Sequence, residues 1–271
     1  MTSRRVMNIA ALIVAGSAYF IFFKDRDDFI YLFATGLVIL MITYVFQFQM
    51  DQIITRGVPQ KLSPPMRQML MTTAPYFSSM APVQQQMVED RMRRWIDKKD
   101  FVNKNEQDAP EDVKYILAYY AILLTMHQKS FMYDGIDRVA FYHHPFLSPA
   151  IPEDVHIAEV EPVDGTIIVS VPHLLKGYLE KGYYNIALHV IAESFAQLYM
   201  PDAINWPDDI WEQLEEISSI SKGKLEAYIG LPLLDPWPVA VHHQLMYRDA
   251  QIPEVLEVFP QFKNAVEIIH P

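Results

Sequence analysis

The sequence predicts an α+β fold: a mostly helical domain with a small central sheet, preceded by two transmembrane helices. Three observations carry this. Two long uncharged apolar runs occupy the first 50 residues. Stripes of helical period fill the stretches near residues 83–131 and 174–248. Between them, short β-rich runs bracket an Asp164-Gly165 turn.

The apolar runs are Val6 to Phe23, 18 residues softened only by Asn8 and Ser17, and Phe29 to Met50, 22 residues free of charge until Asp51. A bilayer core takes about 20 apolar residues in a helix, so both runs qualify as spans. A cleaved signal peptide is disfavoured, because no small-residue cleavage site follows the first run and a second apolar run begins five residues later. Residues 1–56 thus form an expected hairpin. Arg4 and Arg5 precede it and Arg56, Lys61 and Arg67 follow it, against Lys24 and Arg26 in its loop. Basic residues mark the cytoplasmic side. The expectation is a bacterial inner membrane, with both termini and the following domain in the cytoplasm.

Residues 57–82 read as a connector in which Pro59, Pro64, Pro65, Pro75 and Pro82 forbid one continuous helix. The domain proper is 83–271. Val83 to Lys99 sets Val83, Met87, Val88, Met92, Trp95 and Ile96 on one face, opposite Arg91, Arg94 and Lys98. Glu111 to Phe131 is a second helix. Arg138 to His143, Val155 to Glu161 and Thr166 to Val171 are strands. Helices return at Leu174 to Lys181, Tyr184 to Met200, Asp208 to Ser221 and Pro238 to Arg248, with a last one starting at Pro260.

Composition removes several function classes. Residues 61–271 carry 17 Lys and Arg against 29 Asp and Glu, a net of −12. Nucleic acid is therefore not an expected partner, since phosphate binding needs a basic patch. With no cysteine, disulfides, thiolate metal sites and thiol nucleophiles are excluded. There is no Gly-rich phosphate loop and no G-x-S-x-G elbow.

One stretch remains as a source of chemistry: Asn185 to Leu198, NIALHVIAESFAQL. His189 and Glu193 stand four apart and share a helix face. Imidazole and carboxylate at this spacing can grip one zinc ion, although an isolated pair of this kind is more often a simple hydrogen-bonded contact. His143 and His144 end a strand before Pro145 and read as loop-edge residues, His127 near a helix end reads as a cap or packing residue, and His156 and His173 have no partner at diagnostic spacing.

In order along the chain, a basic amphipathic helix, YILAYYAILL, the turn-and-strand PVDGTIIVSV, HLLKGYLEKG, YYNIALHVIAESF and PWPVAVHHQLMYRDAQIPEVLEVFPQFKNAV resemble the zinc peptidases of the Mlc titration factor A family over most of residues 75–271. The resemblance implies a zincin-like domain and regulatory protein contacts as well as proteolysis. It also exposes departures. The family's H-E-x-x-H pattern places its first zinc-binding His on His189, but Val190 stands at the general-base Glu and Glu193 at the second His. His243 falls at or next to the third ligand, a Glu. Two readings follow. His189, Glu193 and His243 are a rearranged zinc set of two His and one Glu, or the site has decayed and holds no metal. The second is favoured, because the position of His243 rests on register alone.

The expectation is thus a membrane-anchored, catalytically degenerate peptidase relative that binds a protein or peptide partner as a scaffolding subunit. The alternative is an active membrane-anchored zinc metallopeptidase. A third reading is a structural subunit whose two helices matter more than its domain.

Overall fold

Prolines open half of the described α-helices. A proline in the first helical turn gives up an N–H that has no intrahelical acceptor anyway, and its fixed φ suits the helix. The computed structural model describes residues 3–24, 27–45, 61–104, 110–147, 154–200, 204–247 and 249–264. It divides into two units, residues 1–59 and 60–271.

The first unit is a pair of packed helices, α1 (Ser3–Lys24) and α2 (Ile30–Val45), joined through a 3₁₀ turn at Asp27–Phe29. Gly36 sits so close to α1 that a Cβ there would lie 2.8 Å from a methyl of Val14. The expectation of two membrane spans at 6–23 and 29–50 is not supported by the described residues. Among the described residues no helix is long and apolar enough to cross a membrane. Residues 46–50 of the expected second span lie outside the described residues. The pair nonetheless leaves large apolar side chains in the open, Leu12, Phe22, Tyr31 and Met41 being 68–81 % exposed.

In the second unit, the stretch expected to be a broken connector folds into short proline-led helices: α3 (Pro64–Thr73), α4 (Pro75–Ser79) and the start of α5 (Pro82–Lys98). Arg67 fastens α3 to α5, reaching the buried Glu89 carboxylate and, at 2.8 Å, the Gln85 side chain. After α5 comes β1 (Asp100–Asn103), a strand hidden in the sequence because DFVN is half polar. Helix α6 (Glu111–Leu124) ends seven residues early, its last turn closed by Thr125, whose hydroxyl donates to Ala121 O at 2.6 Å.

The main sheet has the order β1-β2-β6-β5, with β2 at Arg138–Tyr142, β5 at Ala158–Glu161 and β6 at Thr166–Ser170. β1 and β6 run parallel to β2, whereas β5 returns antiparallel along β6 and forms the edge. The β5–β6 hairpin turns at Gly165, with φ +59°. A Cβ there would come within 2.4 Å of Gly135 O, so glycine is required twice over. A separate two-stranded pair joins β3 (Phe146–Leu147) and β4 (Val155–His156).

The rest is helical: α7 (Val171–Leu179), α8 (Ile186–Tyr199), α9 (Ile210–Ser218), α10 (Lys222–Ile229), α11 (Pro236–Met246) and α12 (Pro253–Val258). The expected helix to Ser221 stops early, because Ser219 turns left-handed at φ +59° and α10 starts afresh. A 3₁₀ segment occupies Pro260–Asn264. Helix α8 lies at the centre, packed on α6, α7, α11, β5 and β6, with nine of its residues buried. A mostly helical domain on a small mixed sheet is α+β and is consistent with a zincin-like fold.

Candidate functional site

Everything at the site is held by the start of α8. Asn185 is its N-cap, and the side-chain oxygen accepts from Leu188 N at 3.0 Å. The other end of the carboxamide donates to the Tyr120 hydroxyl of α6 at 2.8 Å, and the Asn185 backbone N–H donates to Nε2 of His242 on α11 at 3.1 Å. One residue therefore ties α6, α8 and α11 together. From behind, Gly177 of α7 lies so near that a Cβ there would stand 2.3 Å from Tyr184 O.

One turn further, His189 is 2 % exposed. Its Nδ1 lies 2.8 Å from the Tyr184 hydroxyl, and its Nε2 faces Glu193 Oε2 at 3.9 Å. Burial pulls the imidazole pKa down to about 3. Burial, and then the carboxylates of Asp235 and Glu159, push Glu193 up to about 8. At neutral pH the ring is thus uncharged and most of the Glu193 carboxyl is protonated, so this is a contact of neutral groups rather than an ion pair. Glu193 Oε2 has no hydrogen-bond partner. Val190, the next residue, is fully buried.

Helix α11 closes the site. Asp235 caps it by accepting from Trp237 N at 2.7 Å, and the Trp237 indole reaches the α8 backbone. The His242 ring packs on Tyr184, centroids 4.1 Å apart, and its Nδ1 lies 3.3 Å from Nδ1 of His243. The His243 ring lies 5.1 Å from that of Tyr247. Burial lowers His243 to about 4, opposed by the backbone at Leu214 and Val239. His242 is driven well below the ordinary range by burial, then by His243 and His189.

The structure therefore brings His189 and Glu193 together and sets His243 on α11 against His242. Sequence reasoning passed over Tyr184, Tyr120, Asp235 and His242. The HH doublet was the available signal for His242, since adjacent helical residues point about 100° apart and only one can face α8. Elsewhere, His173 Nδ1 pairs with Ser170 Oγ at 2.8 Å at the start of α7, and His127 is exposed beyond α6.

A family model described as glucose-regulated metallo-peptidase M90 matches residues 50–198, more than half of the chain. The chain belongs to this M90 family. The match contains all of α8 up to Leu198, with Tyr184, Asn185, His189 and Glu193, and stops short of α11. No curated protein matches the chain.

An M90 metallopeptidase implies a metal ion. Two ligands of one tetrahedral zinc, each about 2.0–2.1 Å from it, stand about 3.4 Å apart. His189 Nε2 and Glu193 Oε2, at 3.9 Å, are a little wide of this. Among the described residues no group of three His, Asp or Glu side chains is placed to hold a metal. Among the described residues, this M90 site brings two donors together.

Proposed function

We propose that this chain is a catalytically degenerate M90 protein whose domain binds a protein or peptide without cutting it, and whose N-terminal helix pair attaches it to a membrane. The observation that carries the reading is Val190. It follows His189 directly, where an H-E-x-x-H helix places its proton-accepting carboxylate, and it is an aliphatic side chain with no exposure. A hydrolase needs a positioned group to take a proton from the attacking water. Val190 neither accepts a proton nor orients a water. Binding without cutting is the role left to an M90 domain whose helix keeps His189 and Glu193 but carries Val190 between them.

The exposed apolar side chains of α1 and α2 support membrane attachment, since so much open apolar helix surface is costly in water. The basic residues flanking the pair favour a bacterial cytoplasmic membrane with the domain on the cytoplasmic side.

A second reading is an active zinc metallopeptidase in which Glu193 is the base. It is favoured by the Glu193 carboxyl, raised to about 8, beside His189 and with one oxygen free of hydrogen bonds. The experiment that separates them assays the full chain with added zinc on unstructured peptides. No cleavage is expected. Zinc-dependent cleavage that is lost in both His189→Ala and Glu193→Gln would overturn the degenerate reading and establish the second.

A further inference from the structure

We infer that His242 and His243 form a one-way hydrogen-bond relay that clasps α11 to the N-cap of α8, and that neither ring offers a lone pair to a metal ion. A backbone N–H only donates, so Asn185 N, 3.1 Å from His242 Nε2, makes that nitrogen an acceptor. A neutral imidazole carries one proton, and with Nε2 accepting, the His242 proton sits on Nδ1. That proton points at Nδ1 of His243, 3.3 Å away, which must accept in turn. The proton of His243 is then on its Nε2.

Both rings are buried, and burial opposes a second proton on either. His243 Nε2 has no hydrogen-bond partner, while the backbone at Leu214 and Val239 favours a proton on this ring. The count of lone pairs closes. His242 spends its own on Asn185, His243 spends its own on His242, and the two remaining nitrogens carry hydrogen. A metal ligand must present a bare ring nitrogen.

The clasp has a positioning role. Asn185 stands one helical turn before His189, and Tyr184 both packs its ring on His242 and touches His189 Nδ1. His242 thereby helps to hold Tyr184, and Tyr184 holds the His189 ring. This holds whether or not the domain cleaves peptides.

The test is the imidazole nitrogen spectrum of the full chain, labelled at histidine, at neutral pH. The expected result is a bare Nε2 and protonated Nδ1 for His242, and the reverse for His243, with all four signals unmoved by zinc. A proton on Nε2 of His242, or zinc-induced shifts at either ring, would overturn the clasp. A second arm records the same spectrum in His243→Phe, where His242 should keep a bare Nε2 because Asn185 N still donates to it. A His242 Nε2 that becomes protonated there would overturn the clasp. If His243→Phe does not fold, the wild-type spectrum alone decides. Peptide cleavage by the wild type would defeat the degenerate reading and leave the tautomers as assigned.

Discussion

Nε2 of His189 and Oε2 of Glu193 face each other 3.9 Å apart, and burial keeps the first unprotonated and the second protonated across the neutral range. The two shifts act on stability in opposite directions. His189 and His243 have folded pKa values depressed from 6.5 to about 3 and about 4. The unfolded chain binds more protons below pH 6.5, so their contribution is lost as pH falls through that value. Glu193 is raised from 4.5 to about 8, so the folded state holds the extra proton and stability falls as pH rises toward 8. A maximum near pH 6 to 6.5 results, with a loss of about 2 kcal/mol from pH 6.5 to 8 at 1.36 kcal/mol per pH unit. Melting curves across this range check it. Glu193→Gln should flatten the alkaline limb and steepen the acid limb above about pH 4.5, where the Glu193 contribution opposes that of the histidines.

Gly177→Ala should destabilise the domain through the site rather than through α7 itself. Alanine is the better helix former, yet its Cβ would land 2.3 Å from Tyr184 O and 3.0 Å from Asn185 Cα. The 184–185 backbone has no room to retreat, since Asn185 is tied to Leu188, Tyr120 and His242. A cost of about 1–3 kcal/mol is expected, as for other overpacked sites. Denaturant unfolding measures it, and an unchanged midpoint would show that the contact gives way freely.

The helices with a strong apolar period were legible in the sequence, and so was the hairpin at Asp164-Gly165. Pattern reasoning failed where a local signal was overridden. Pro64, Pro65 and Pro75 read as breakers but sit in first turns, where the missing N–H costs nothing. β1 looked like the start of a polar loop and is a strand because Phe101 stacks on Phe141 of β2, planes 2° apart. The His189–Glu193 pair followed from helical spacing alone. Tyr184 and His242 did not, because their contacts depend on how α8 and α11 dock. No residue-by-residue pattern carries that angle.

Lys99→Met should be strongly destabilising although it removes a buried charge. The Lys99 ammonium donates to Met132 O at 2.6 Å, to Tyr133 O at 3.0 Å and to Ile136 O. Burial lowers its pKa to about 8. A methionine fills the same space but leaves the Met132 and Ile136 carbonyls without this donor, while Tyr133 O keeps Ile136 N–H at 3.0 Å, next to Tyr133 at φ +51°. The expected loss is about 2–4 kcal/mol, from about 1–3 kcal/mol for each group left unsatisfied less the relief of the buried charge. Amide exchange across residues 131–137 should rise with it. Unchanged exchange would show that other contacts hold this loop.

The Val190→Glu substitution restores the missing letter of H-E-x-x-H, and it should fail for a reason the motif does not contain. Val190 is fully buried in the core, whereas the Glu193 side chain is 26 % exposed. A glutamate at 190 would be buried without a partner, and an uncompensated buried charge costs about 3–5 kcal/mol. The variant should be destabilised by about that much or unfold, and gain no peptidase activity. Losing a positioned base costs about 10²–10⁴ in rate, roughly 3–5.5 kcal/mol of barrier, and a carboxyl facing the core recovers none of it. Chemical denaturation and a zinc-supplemented peptide assay on the same preparation check both halves. A stable, cleaving Val190→Glu variant would show that α8 can turn this position toward the His189 side, and that one substitution separates this chain from a working site.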